Sequence, residues 1–272
     1  MNLSAKQITV ILLGCIIVSV LYLLPVKNHH PDHDKAKEEK GFSIDQMLQK
    51  EKSLLSHSLQ GEVNALEARL NGEGGSGLAD SLALLWEMLG KPVISAYYNE
   101  LSAIKSNTLN KWIKAGENYF EVFRTDTNIL IQQFSVSKAI DCYKKALEIN
   151  PDDADAKSGL GICYAEGTPT PMEGIKLLRE VAGKYPEHEQ TQLALGILSM
   201  RSGQYQKAVE RFEKVLKVNS KNFDVYLRLA EALYKNGEKE KAINCLRTYK
   251  NIRPDSAGRQ ETEKMIQYII NN

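Results

Sequence analysis

Hydrophobic positions along this chain follow two patterns. From Ile8 to Val26 the sequence ITVILLGCIIVSVLYLLPV is apolar throughout and carries no charge. Beyond Gly41, apolar residues recur every three or four positions in segments broken by turns, which is the periodicity of amphipathic helices. Sustained period-two alternation with β-branched residues is missing, so no strand is expected. The first helical stretch runs from Phe42 to Leu70, with Ile44, Met47, Leu48, Leu54, Leu55, Leu59, Val63, Leu66 and Leu70 on one face. Ser43 with Gln46 three residues later has the pattern of a capping box. Asn71 to Gly77 reads NGEGGSG and ends the helix as a short link. Gly61 and a shortage of clean heptads argue against a coiled coil, so this helix is expected to dock on those that follow.

The later segments repeat. Shifting Ala208, Phe212, Val215 and Ser220 by 34 residues gives Ala242, Leu246, Tyr249 and Pro254. The same shift takes Leu195 to Leu229, Gly196 to Ala230, and the turn residue Gly203 to Gly237. Upstream, residues 154–188 supply Leu160, Gly161, Tyr164, Gly174, Leu178, Val181 and Pro186. Residues 109–153 supply Trp112, Ala115, Gly116, Tyr119, Ala139, Tyr143, Ala146 and Pro151, with about 11 extra residues expected between the two helices. Residues 76–108 form a diverged unit with Leu82, Ala83, Trp86, Gly90 and Ser95. After Pro254, the spacing of Met265, Ile266, Ile269 and Ile270 predicts a capping helix. Gly116, Gly161, Gly196 and Ala230 on first helices face Ala139, Gly174, Ala208 and Ala242 on second helices. Small residues on both sides are expected to let the paired helices approach closely.

A 34-residue period with a small residue, an aromatic and a late proline resembles the tetratricopeptide repeat family. The resemblance covers residues 76–272, with one degenerate unit and four clear ones. It implies an all-α, right-handed superhelical solenoid of helix pairs, and a non-catalytic role in binding other proteins. It also implies which residues line the inner groove. In unit two these are Asn110, Ile113, Glu117, Phe120 and Glu121; in unit three, Asp155, Ser158, Ile162, Ala165 and Glu166. Unit four gives Gln190, Leu193, Ile197, Met200 and Arg201; unit five gives Asp224, Leu227, Glu231, Tyr234 and Lys235. The middle of this set is apolar and its margins are charged, which suits an amphipathic helix or extended peptide of a partner. Two segments of the chain itself compete for the groove: the helix from Ser43 to Leu70 and the insert from Thr125 to Ser135.

The Ile8–Val26 run is 19 residues long, close to the span of a bilayer core. Three readings apply to it. An uncleaved signal anchor fits its length and its end, Leu23-Leu24-Pro25-Val26, which lacks a small-x-small cleavage site. A cleaved secretion signal is the second. A lipoprotein is the third, from Leu12-Leu13-Gly14-Cys15, although the apolar run continues to Leu24. Residues 27–41 form a charged linker. With the repeats, this layout resembles the membrane-anchored tetratricopeptide proteins of bacteria. The expected location is therefore single-pass at the inner membrane, with the family resemblance favouring the periplasmic side for the repeats. Lysines on both sides of the run leave orientation open, and unpaired cysteines favour a reducing compartment.

Composition narrows the chemistry. A formal net charge of +1 from 35 basic and 34 acidic residues argues against a nucleic-acid surface. Four cysteines in 272 residues are too few for a disulfide scaffold, and Cys142, Cys163 and Cys245 fall in helices where packing is the expected role. His29-His30-Pro31-Asp32-His33-Asp34 offers metal ligands, but no rigid element orients them, so a solvated linker is the expectation. Gly159-Leu160-Gly161 lacks a preceding strand and a third glycine, which excludes a dinucleotide fingerprint. No nucleophile–base set is visible, and Asp152, Asp153 and Asp155 sit where carboxylates favour a helix start. The expectation is no enzyme and no cofactor. Alternatives within the interaction class are an assembly factor for envelope or cytochrome maturation and a regulatory subunit of a membrane enzyme.

Overall fold

The computed structural model describes residues 42–72, 75–252 and 256–271. The apolar run 8–26, the linker 27–41 and its histidines lie outside the described residues. Among the described residues, no helix is long and apolar enough to cross a membrane. Phe42–Asn272 forms one compact unit, and its regular structure, among the described residues, is helical throughout.

Two helices, α1 (Ile44–Ser53) and α2 (His57–Asn71), precede the repeats. Five pairs follow: α3 (Ser76–Met88) with α4 (Pro92–Ser106), α5 (Leu109–Thr125) with α6 (Ile129–Ile149), and α7 (Ala154–Gly167) with α8 (Pro171–Lys184). Then come α9 (Glu189–Arg201) with α10 (Tyr205–Val218), α11 (Phe223–Lys235) with α12 (Lys239–Ile252), and finally α13 (Ser256–Asn271). Turn glycines explain the tight connections inside three pairs. Gly90, Gly203 and Gly237 all have positive φ, between 68° and 85°, where a side chain would be strained.

Two expectations are corrected. The apolar stretch from Phe42 to Leu70 is not one helix. Ser43 caps α1 by accepting from the Gln46 N–H, but α1 stops at Ser53, whose Oγ donates to the Lys50 carbonyl at 2.6 Å. Ser56 then caps α2 by accepting from the Leu59 N–H. Serine hydroxyls that bond nearby backbone offer it an alternative to the helix ladder, so the apolar spacing continues while the helix does not. Second, the extra residues of unit two do not lie between its helices. Only residues 126–128 do; the rest lengthen α5 to 17 residues and α6 to 21. The added turns of α6 are anchored by buried Ile131 and by Phe134, whose ring meets those of Phe42 and Tyr119 at 4.8 and 6.0 Å.

The α1–α2 hairpin docks on the repeats, as expected. Leu48, Val63 and Leu70 belong to the same buried cluster as Trp86, Trp112 and Tyr143. Glu67 accepts from Lys52 Nζ and from the Tyr98 hydroxyl, each at 2.5 Å, tying α2 to both α1 and α4.

At the seams between helices, the small residues serve two different purposes. Gly161 and Gly174 bring α7 and α8 together backbone to backbone: a Cβ on Gly174 would overlap the Gly161 carbonyl and crowd the Ala165 amide. Gly116 and Gly196 instead make room for rings. A Cβ on Gly116 would lie 3.0 Å from the Tyr143 ring, and one on Gly196 would lie 2.5 Å from the Phe212 ring. Gly159 faces Tyr143 as well, so this one ring rests on glycines of two successive first helices, α5 and α7. In the third unit the matching register position is Leu178. There the core narrows to a small cluster of Leu178, Ala194 and Leu195 between the large amino-terminal and carboxy-terminal clusters.

Candidate functional site: the groove along the first helices

Three hollows follow one another along the row of first helices. The first, about 290 Å³, is lined by Glu117, Phe120, Glu121 and Arg124 of α5, Ile162 and Glu166 of α7, and Gln190, Leu193 and Ile197 of α9. Tyr143 forms its back wall. The second, about 340 Å³, lies between α9 and α11 and is lined by Ile197, Met200, Arg201, Arg228, Glu231 and Lys235, with Phe212 behind. The third, about 510 Å³, is lined by Leu227, Glu231 and Tyr234 of α11 and by Glu261, Met265, Tyr268 and Ile269 of α13.

Most of the residues expected in the groove therefore meet in it, and some do not. Ile113 packs against the amino-terminal core and lines none of these three hollows. Asp155 and Ser158 hold α7 to α9. Asp155 Oδ1 lies 2.9 Å from His188 Nε2, Thr191 Oγ1 donates to Ser158 Oγ at 3.0 Å, and His188 Nδ1 accepts from the Thr191 N–H as the cap of α9. Ser158 and Thr191 are fully buried, so this polar link is part of the wall. Neither the α1–α2 hairpin nor the segment 125–135 contributes a residue to the three hollows.

The sequence reading missed the contribution of α13. Advancing the groove positions Leu227, Glu231, Tyr234 and Lys235 by one more 34-residue step gives Glu261, Met265, Tyr268 and Ile269. All four line the third hollow. The helix expected only as a cap is also the next first helix of the series, and the repeat register alone could have found it.

Charge is concentrated at the margins. Desolvation at the groove pushes the Glu117 carboxyl above its usual value, and nearby Asp155 pushes the same way against the opposing pull of Lys114. Arg124 sits over the Phe120 ring, 5.9 Å from its centroid. Arg201 reaches toward Glu166 at 3.9 Å. The three described cysteines stay out of this chemistry. Cys142 and Cys163 are buried, Cys245 is half-buried, and all three are free. Burial raises each thiol, Cys245 to about 12, so at neutral pH they are packing groups and not nucleophiles.

Two sequence profiles of the tetratricopeptide repeat family match this chain, one over residues 128–166 and one over residues 199–260. Both stretches are tetratricopeptide repeats. The matches cover α6–α7 and α10–α12, and the structure shows the same helix pairing in the stretches between and before them. Among curated proteins, the RNA polymerase-associated protein CTR9 of Saccharomyces cerevisiae is 34% identical over 113 residues. The chain spans only 10% of that protein, and the match takes in 40% of the chain. The solved tetratricopeptide repeat protein from Parabacteroides merdae superposes with a TM-score of 0.53 at 14% identity, covering 82% of this chain and 85% of that one. MamA protein aligns at 15% identity over 64% of this repeat protein and 89% of its own chain, with a TM-score of 0.46.

Proposed function

We propose that this repeat protein is a non-catalytic interaction scaffold whose groove takes an apolar helix or extended peptide of a protein partner. One observation carries the reading. Half-buried Phe120, Ile162, Leu193, Ile197, Met200 and Tyr234 line open hollows, and no described segment of the chain covers them. Apolar side chains flanked by Glu117, Arg124, Glu231 and Lys235 supply anchor sites in the middle and orienting charges at the edges. Met200 and Met265 add adaptable contact surface. The scaffold acts at a membrane in this proposal, on the strength of the Ile8–Val26 composition.

The test is photo-crosslinking from position 193 of the full-length chain in the cells that make it, compared with the same chain carrying Met200→Asp and Leu227→Asp. The expected result is a discrete crosslinked partner, lost in the double variant while circular dichroism is unchanged. A crosslink that persists in the variant would place the binding site elsewhere. Membrane attachment is checked by alkaline extraction of membranes: the chain is expected in the pellet, and deletion of residues 8–26 is expected to release it.

A further inference from the structure

A fourth cavity lies outside the groove, between the second helices α8 and α10, with the end of α9 as its floor. Its volume is about 430 Å³, within the usual range for small-molecule sites. The apolar surface comes from Met172 and Ile175 of α8 and from Leu195 and Leu198 of α9. Around it stand four cations, Arg179, Arg201, Lys207 and Arg211, and no carboxylate lines the cavity.

That charge distribution differs from the other junctions. Elsewhere basic groups on the helix pairs meet acids: Lys138 with Glu100, Lys157 with Glu180, Lys184 with Asp152, Lys250 with Glu263. Among the described residues, no ion pair uses Arg179, Lys207 or Arg211. Arg211 spends one N–H on Gln192 Oε1 at 2.6 Å, which leaves further donors of its fork free. The start of α10 adds to the positive field. Its N-cap, Gln204, lines the cavity and supplies no side-chain cap to the first-turn amides.

The neutral polar groups of the lining are already engaged with one another. Ser199 Oγ donates to the Leu195 carbonyl, Ser202 Oγ to the Ser199 carbonyl, Gln204 Nε2 to Ser202 Oγ, and Lys207 Nζ to Gln204 Oε1. A peptide backbone would find donors for its carbonyls here but few acceptors for its N–H groups. An anionic head on an otherwise apolar body matches what remains: charged donors at the rim and aliphatic side chains below. We infer that this cavity binds a single-chain anionic amphiphile, an aliphatic chain ending in a carboxylate. The inference does not depend on what occupies the groove, although the two sites share Arg201, which also borders the second hollow and lies 3.9 Å from Glu166.

Calorimetric titration of the full-length chain with sodium decanoate tests it, beside the charge-reversed variant Arg179→Glu with Lys207→Glu. Both substituted residues are exposed, so the fold is expected to survive. Decanoate is expected to bind the original chain and to lose about tenfold or more in affinity in the variant. Decylammonium, with the same chain and the opposite head, is expected to reverse that preference. Acetate, the head alone, is expected not to bind measurably. Equal decanoate affinity in both proteins, no decanoate binding, or equal binding of decanoate and decylammonium to the original chain would each overturn the assignment.

Discussion

Gly174 and Gly183 share the helix α8 and have opposite surroundings. A methyl on Gly174 would collide with the backbone of α7, whereas one on Gly183 would meet nothing within 4 Å. Gly174→Ala is therefore expected to cost about 1–3 kcal/mol through forced separation of two backbones. Gly183→Ala, in the last turn of the helix, should gain roughly 0.5 kcal/mol by reducing the backbone freedom of the unfolded chain. Urea unfolding of the two variants measures both signs at once. Glu117 gives a second residue-level expectation. Its carboxyl holds the proton more tightly in the folded chain than a free glutamate does, chiefly through desolvation. The native state thus binds more protons than the unfolded one, and ionisation of Glu117 opposes folding as pH rises. Glu117→Gln is expected to raise the unfolding midpoint at pH 7, with the difference vanishing once pH falls below the ordinary glutamate value of 4.5. A difference that persists in acid would mean that the side chain contributes through packing instead.

At the scale of elements, the α1–α2 hairpin hangs on one carboxylate. Lys52 is buried, and its partner Glu67 also takes the Tyr98 hydroxyl. Glu67→Ala leaves that ammonium without its acid and is expected to cost about 2 kcal/mol of docking. Hydrogen exchange should quicken across residues 44–71 and stay unchanged in α9–α12; a uniform change would contradict a local role. The sequence foretold this docking but not the break at Leu54–Ser56, because the break follows from serine hydrogen bonds and leaves the apolar period intact. It showed the repeat pairs well, since a small residue facing a ring or a glycine leaves a trace every 34 residues. The extra residues of unit two were misplaced because Ile131 and Phe134 continue the helical spacing and gain burial by lengthening α6. The groove was legible in its middle from register alone. Its wall residues Asp155 and Ser158 were not, because their roles depend on His188 and Thr191 from the next unit. The cationic cavity left no sequence signal, being assembled from the faces of three helices that share no motif.

On the scale of the whole molecule, the core is not continuous. Both tryptophans, Trp86 and Trp112, lie in the amino-terminal cluster, while Phe212 and Leu229 belong to the carboxy-terminal one. In a stack whose units touch only their neighbours, a thin junction weakens cooperativity. Urea unfolding followed by tryptophan fluorescence is therefore expected to give a midpoint different from that of far-ultraviolet circular dichroism, which reports every helix. Coincident curves would mean that the α8–α9 junction transmits unfolding fully. The residues at the seams predict that stiffness is unevenly shared along the stack. Pressed between Gly116 and Gly159, the Tyr143 ring acts as a washer between two turns of a coil spring, and Phe212 on Gly196 does similar service further along. Between them, at Leu178, the washer is a smaller aliphatic one. A coil yields first where its spacer is slightest, so a pull along the axis is expected to open this molecule between its third and fourth turns.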